Sequence, residues 1–199
     1  MAEAFPAQNR ATLTTGSLNY FSGPAGILGP HRGIMFPNQP DITYSQTVNY
    51  SPYDLVHTNY TFNAYRNTPS PSMNITAQFS QVTDEEHAYL QGVLHFLRSV
   101  TKMYYGKNEG SNPRAGTPPP VLRFSALGSN IFNNVPVLVS DFSTTFDSNV
   151  DLKTFNNQSL PTIQTITMTL MVQQTPAKQK ESFTLSGFIS GGLYGQGFI

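Results

Sequence analysis

Few side chains in this 199-residue sequence are suited to acid–base, nucleophilic or metal chemistry. It contains four His and no Cys, which excludes a thiol nucleophile, zinc bound by Cys and a disulfide scaffold. Asp54 and His57 are close enough in sequence to touch, and Ser45 or Ser51 would complete a Ser-His-Asp site. No Gly-x-Ser-x-Gly elbow accompanies them. The sequence therefore predicts a protein that is not an enzyme.

The motifs that would hold a metal or a cofactor are incomplete. The segment Asp147 to Asp151 is spaced like part of a calcium loop, but it lacks the central Gly and the terminal Glu. The stretch 106–116 has Gly and Lys residues, but not in the order of a phosphate-binding loop. His87 and His95 are eight residues apart and so are not an i,i+4 ligand pair. His95 is expected to be packed and hydrogen-bonded beside an apolar helix face. We expect no metal and no cofactor.

Charge is scarce in this sequence. Eleven basic and eleven acidic residues make 11% of the chain, with a net charge of zero, whereas an average soluble domain has about 25% charged residues. A compact monomer of 21.9 kDa would expose roughly 9,300 Å². Surfaces with so few charges tend to associate. Either neutral polar side chains cover this surface, or other subunits bury part of it.

The same features exclude several classes of protein. The sequence has no run of 18 or more apolar residues, so no transmembrane helix is predicted. The first ten residues do not have the pattern of a secretory signal. A neutral chain is also unsuited to holding nucleic acid on a basic surface.

Hydrophobic periodicity predicts an α+β, mainly β domain. Apolar residues alternate from Ser72 to Ser80 and from Ile163 to Gln173, as in half-buried strands. One helix is predicted from Asp84 to Tyr105, with a capping box formed by Thr83 and Glu86 and a stop near Gly106.

Both ends of the chain differ from this central part. Residues 1–40 are rich in Gly and Pro, have no periodicity and are predicted to be an extended N-terminal arm. Residues 41–186 form the predicted domain. Residues 187–199 are a Gly- and aromatic-rich tail without charge, expected to dock on its own domain or on a partner.

Particular segments resemble a known family. They are His95 to Met103, Ala115 to Ser125, Phe132 to Val137, and Leu160 to Gln173. These segments are similar to the tail tube initiator, or tail-tube junction, proteins in the baseplates of contractile-tailed bacteriophages (myoviruses). The similarity covers about residues 38–180.

The resemblance implies an antiparallel β-sandwich or partial barrel of the tail-tube type, flanked by one helix. It also implies a homo-oligomer, a six-fold ring that joins the baseplate hub or a second junction protein to the tail tube protein. Phage DNA would pass through the lumen without sequence-specific binding. The protein would belong to the virion and be assembled in the bacterial host cytoplasm, with no contact with a membrane.

If the chain forms such a ring, both termini and the loop from Gly106 to Pro120 are expected to contact neighbouring subunits. The candidate interface residues are Phe21, Ile27, Ile34, Phe36, Pro118, Pro119, Phe188, Leu193, Tyr194 and Phe198. Two alternatives stay open: the tail tube protein proper, which shares the fold, and a glycan-binding β-sandwich that is not an enzyme.

Overall fold

A computed structural model of the chain describes residues 10–105, 115–146, 148–155 and 158–199. These residues form a mainly antiparallel β structure with a few helices, which confirms the predicted α+β, mainly β class. The strands are β1 (Thr12–Thr14), β2 (Gly33–Met35), β3 (Asp41–Ser45), β4 (Asn49–Tyr53), β5 (Phe62–Asn67), β6 (Ser72–Ser80), β7 (Leu122–Ala126), β8 (Phe132–Thr145), β9 (Leu152–Phe155), β10 (Gln158–Pro161) and β11 (Ile163–Val172). The helices are α1 (Asp84–Val100), α2 (Pro176–Ser182) and α3 (Leu185–Ile189), with 3-10 segments at Leu18–Tyr20, Gly23–His31 and Tyr194–Gln196.

Seven strands form one antiparallel sheet in the order β2-β1-β7-β8-β11-β6-β3, and two separate hairpins, β4–β5 and β9–β10, complete the β structure of the described residues. The alternation predicted for β11 is confirmed, because Ile166, Met168 and Leu170 are fully buried while Thr167 and Thr169 between them are half-buried. One face of the sheet therefore carries the apolar core and the other carries polar side chains.

The sheet is strongly curled. Phe36, just after β2, and Phe79, on β6, have ring centroids 6.2 Å apart, although five strand steps would separate them by about 24 Å in a flat sheet. Tyr44 on β3 and Phe132 on β8 are three strands apart and their rings lie at 6.3 Å. Of the two predicted arrangements, sandwich or partial barrel, the structure has an open partial barrel.

Helix α1 fills the apolar side of this curled sheet. Its start confirms the predicted capping box: the Thr83 hydroxyl accepts from the Glu86 N–H, and the Glu86 carboxylate accepts from the Thr83 N–H at 3.0 Å. Leu90, Val93 and Leu97 are buried in one cluster with the inward side chains of the sheet.

The prediction that this helix extends to Tyr105 is wrong. It ends at Val100 because the Thr101 hydroxyl donates to the carbonyl oxygens of Leu97 and Arg98. The chain then turns so that Tyr104 pairs with Thr117 in an isolated bridge. Gly106, the predicted stop, lies outside the described residues, as does the loop as far as residue 114.

Residues 10–36 are part of the domain, which corrects the predicted N-terminal arm. Leu13 on β1 pairs with Ile34 on β2 and with Phe124 on β7, and all three side chains are fully buried. The 3-10 segment Gly23–His31 packs on α1, where a Cβ at Gly92 would lie 2.8 Å from Ile27 Cγ2 and 3.0 Å from the Pro24 carbonyl oxygen. Gly92 thus permits this close approach.

Helix α1 also covers one edge of the sheet. The hydroxyl of Tyr89 donates to the Met35 carbonyl oxygen at 2.7 Å and accepts from the Met35 N–H at 2.8 Å. These are the backbone groups of β2 that face away from β1, because the neighbouring N–H of Phe36 donates to Ala11. Burial raises the pKa of Tyr89, so it stays a donor. The edge at β3 has no strand on its outer side among the described residues.

The C-terminal segment docks on its own domain. The Gln174 side chain donates to the Gly197 carbonyl oxygen at 2.6 Å, and the Lys178 ammonium donates to Gln196. Phe198 and Leu193 are 6% and 7% exposed. Removing residues 187–199 would therefore remove core packing as well as any contact with a partner.

Replacing Gly92 by Leu should destabilise the protein. The longer side chain must displace the segment Gly23–His31, at a cost of about 1–3 kcal/mol, which exceeds the roughly 1 kcal/mol gained in helix propensity. Urea unfolding measures the difference. His95→Leu on the exposed side of α1 is the matched control and should change stability by less than about 0.5 kcal/mol. Equal stability of the two variants would contradict the packing described here.

Glu86→Gln should lower stability at neutral pH but not at low pH. Backbone N–H groups of Val82 and Thr83 lower the pKa of Glu86 below its usual 4.5. The carboxylate therefore stabilises the fold above about pH 4.5, and this contribution is lost as the pH falls through the lowered folded-state value. The side chain is exposed, so the effect at pH 7 should stay below about 1 kcal/mol. Urea unfolding near pH 7 and near pH 3 tests this, and a deficit that persists at the lower pH would disprove it.

Candidate subunit interface

The residues that could form a hydrolytic site are engaged elsewhere. The Asp54 carboxylate accepts a hydrogen bond from the Thr61 hydroxyl at 2.8 Å, and the Ser45 and Ser72 hydroxyls lie 2.9 Å apart. His57 is exposed in the loop between β4 and β5. The structure thus gives Asp54 and Ser45 hydrogen-bond partners outside the predicted triad.

The two helical histidines have different surroundings. His95 is exposed, whereas His87 is 6% exposed and its ring centroid lies 4.7 Å from that of Phe155. Nε2 of His87 is 2.9 Å from the Gln91 side-chain nitrogen. The prediction that His95 is packed is wrong, because α1 is covered near His87 by the β9–β10 hairpin.

No group of three or more His, Cys, Asp or Glu within the described ranges is placed to hold a metal ion. Asp147, the first residue of the calcium-like segment, lies outside those ranges. None of the helices in the described part of the chain is long and apolar enough to cross a membrane.

The ten predicted interface residues fall into two groups. Ile34 and Phe36 are fully buried in the core, and Leu193 and Phe198 are nearly so, because the segments that contain them pack on the domain. These four cannot contact another subunit in this conformation. The others retain exposed surface and stay candidates; they are Phe21, Ile27, Pro118, Pro119, Phe188 and Tyr194.

Exposed apolar side chains are concentrated in the hairpin formed by residues 49–67, which comprises β4, β5 and the tip, residues 54–61. It pairs with no other strand of the described chain. All its residues are exposed except Ser51, which is half-buried. The large exposed side chains are Tyr50, Tyr53, Leu55, Val56, Tyr60, Phe62 and Tyr65.

Aromatic side chains lie on both faces of this hairpin. Tyr50 is directly opposite Tyr65, with ring centroids 6.2 Å apart, and Tyr53 is opposite Phe62. Side chains alternate along a strand, so these two pairs, three residues apart, point to opposite faces. A hairpin that lay flat on its own domain would cover only one of them. An isolated two-stranded hairpin is also marginally stable in water. Both facts indicate a segment that other molecules cover.

The hairpin accounts for much of what the sequence interpretation missed. The alternation of Tyr60, Phe62 and Ala64 indicates a strand, but a strand packed on the core of its own domain would show the same alternation. The sequence does contain a feature that would have identified the hairpin. Large apolar residues occur at both odd and even positions of β4 and β5, and Asp54 and Arg66 are the only acidic or basic residues between residues 49 and 67. Such a strand pair needs cover on two sides.

The outward side of the central strands has a contrasting composition. Hydroxyl and amide side chains of β6, β8 and β11 meet there, with Thr169 donating to Asn74 at 3.1 Å and the Thr76 and Thr167 hydroxyls 3.4 Å apart. Asp141 is the one charged residue in these three strands. We call this surface the polar face.

Neither a model of a known protein family nor a curated protein matches this chain. A solved structure titled as the PVC sheath-tube complex of an extracellular contractile injection system, in the extended state, is similar to it at 12% identity and a TM-score of 0.31. The match covers 87% of this chain and 90% of that one.

Backbone amides of the hairpin should exchange hydrogen quickly in the dilute protein and slowly once the chain assembles. The reason is that its backbone bonds are solvated and no core holds them. Hydrogen exchange read by mass spectrometry should show peptides from residues 49–67 exchanging much faster than peptides from 72–80, which serve as the internal control. Equal protection of both in dilute solution would mean that the hairpin is stable without a partner.

Proposed function

We propose that this chain is a structural protein of a contractile-tailed phage virion, without enzymatic activity. Six copies form a ring in the baseplate that joins the central hub to the tail tube and templates the polymerisation of the tube. Its mechanism is geometric: a closed ring presents the surface on which the first ring of tube protein assembles.

The observation that carries this proposal is the exposed hairpin. Two aromatic pairs on opposite faces, on a segment with almost no charge, need to be covered by protein on both sides. A subunit in a ring has neighbours on two sides, and stacked rings add a third.

The place in a phage tail is supported by the segments that carry the family resemblance. They fall on the end of α1, strand β7, the start of β8 and strand β11, which share the core, and on β10, which belongs to the separate β9–β10 hairpin. Phe124 of β7 pairs with Val135 of β8, and both share the core cluster with Leu97 of α1. Similarity along a connected core favours a shared fold over scattered chance matches.

The polar face is suited to line the channel. Phosphate groups bind proteins mainly through Lys and Arg, and strands β6, β8 and β11 contain neither. Hydroxyl and amide groups keep such a surface wetted without holding a polyanion. DNA would therefore slide through the lumen without being bound.

The sheet edges restrict how subunits join. Because Tyr89 occupies the outer backbone groups of Met35, a neighbour cannot extend the sheet by hydrogen bonding there. Strand β3 and the hairpin keep unpaired edges among the described residues. Subunits are therefore expected to join through the hairpin side of the molecule.

Two alternative functions, a tail tube protein and a glycan-binding module, predict different assembly behaviour from that of a junction ring. The tail tube protein proper would polymerise without limit, whereas a junction ring would stop at one ring until tube protein is added. The exposed tyrosines of the hairpin also favour a glycan-binding module, since aromatic rings stack on sugars. That module would be a stable monomer, and a glycan array would identify its ligand.

Val56→Asp should prevent assembly without changing the fold. Val56 is 83% exposed at the hairpin tip, so its replacement removes no core contact, but a buried charge in an interface costs several kcal/mol. Multi-angle light scattering over a concentration series and negative-stain microscopy measure size and symmetry. The wild-type chain should form six-fold rings, and the variant should remain monomeric with an unchanged circular dichroism spectrum.

Leu127→Asp supplies the matched control, because Leu127 is an exposed aliphatic residue in the turn between β7 and β8. It should assemble as the wild type does. A wild-type chain that stays monomeric at high concentration, alone and with tube protein, would disprove the proposed function.

A further inference from the structure

An apolar groove lies between the base of the hairpin and the C-terminal helices. Its volume is about 620 Å³. No charged side chain lines it, and the walls include Tyr65, Pro71, Phe183, Leu185, Phe188 and Phe198. We call it the C-terminal groove.

An aromatic cluster forms one wall of the groove. The Phe183 ring centroid lies 5.9 Å from that of Phe188 and 5.6 Å from that of Phe198. Phe183 is 43% exposed and Leu185 is 66% exposed, and neither α2 nor α3 has a buried residue. The docked tail thus leaves apolar side chains open on its outer side, and such uncovered apolar patches mark interaction sites.

The hairpin tip has the complementary character. Leu55, Val56 and Tyr60 are 58%, 83% and 84% exposed. Two hydrogen bonds brace the loop internally: Thr58 donates to the Leu55 carbonyl oxygen at 2.9 Å, and Thr61 donates to the Asp54 carboxylate at 2.8 Å. The one carboxylate near the tip therefore has a partner, and a preformed apolar knob projects from the loop.

A chain cannot place its own tip in its own groove. Tyr65, in the hairpin strand β5, already lines the groove, and the paired strands hold the tip more than about 10 Å farther out, at 3.3 Å per residue from Tyr50, the partner of Tyr65, to Tyr53. The knob that fits the groove must therefore belong to another molecule. Since tip and groove are different surfaces, the contact is head-to-tail, and such contacts close into rings or extend into filaments.

We infer that the C-terminal groove of each subunit receives the hairpin tip of a second copy of this chain. This inference rests on the proposed function and specifies its subunit contact: Leu55, Val56 and Tyr60 of one copy pack against Phe183, Leu185 and Phe188 of the next. The side chains of Leu55, Val56 and Tyr60 match the apolar and neutral polar side chains that line the groove.

The cysteine-free sequence allows a direct test. In the double variant Val56→Cys with Leu185→Cys, mild oxidation of the assembled protein should give a ladder of disulfide-linked species that ends at the closed ring. Mixing the two single variants should give linked pairs of one copy of each. The matched control is Val56→Cys with Ser143→Cys, which moves the second thiol to the polar face and should give few linked species.

A charge-swap pair tests the same contact without oxidation. Val56→Lys and Leu185→Asp should each reduce assembly at least tenfold, and the double variant should restore it, because opposite charges then meet. Both positions are exposed in the single chain, so circular dichroism spectra should match the wild type.

The outcomes separate the two proposals. Wild-type rings that give neither tip-to-groove disulfides nor rescue by the charge swap would overturn this inference and leave the proposed function standing. Links of Val56→Cys to Ser143→Cys as abundant as those to Leu185→Cys would overturn it as well. If the wild-type chain never assembles, both proposals are wrong.

Discussion

The curl of the seven-stranded sheet is the constraint on which the rest of the molecule depends. It brings Phe36 to Phe79 and Tyr44 to Phe132 across strands that a flat sheet would hold far apart. The curled sheet and the one amphipathic helix that packs on its apolar side then share a single core. The core cluster includes no residue of the β4–β5 hairpin. The domain therefore forms its core without the hairpin.

Local signals in the sequence are sufficient for some elements and not for others. The capping box at Thr83, the alternation in β6 and β11 and the mainly β class were predictable, because each depends on residues a few positions apart. The role of residues 10–36 was not, because Leu13 finds its partner at Phe124, more than a hundred residues away. A Gly- and Pro-rich composition describes a disordered arm and a 3-10 segment packed on Gly92 equally well. The candidate interface shows the same limit. Ile34 and Phe36 were assigned to it from composition, yet long-range pairing buries them.

The scarcity of charge also has a different distribution from the one that the sequence indicates. Both ends of the chain contribute to the core of their own domain, through Leu13 and Ile34 at one end and Phe198 at the other. The uncovered apolar surface is concentrated in the hairpin and beside the C-terminal groove. Neutral hydroxyl and amide groups supply the polarity of the central strands instead of charges. Neutral polar groups thus account for the missing charges on the central strands, and burial by other subunits is what the proposed function assigns to the hairpin and the C-terminal groove.

An assembly that starts a polymer in one direction must present two unlike surfaces, and this fold provides them through its unequal edges. Two-fold association of identical surfaces would close a dimer and stop. Here Tyr89 caps the short edge strand β2 from within the chain, which is one way proteins prevent uncontrolled sheet extension. The opposite side keeps β3 and the hairpin free. One edge of the sheet is therefore closed within the subunit and the other is open among the described residues, so the two edges are unlike surfaces.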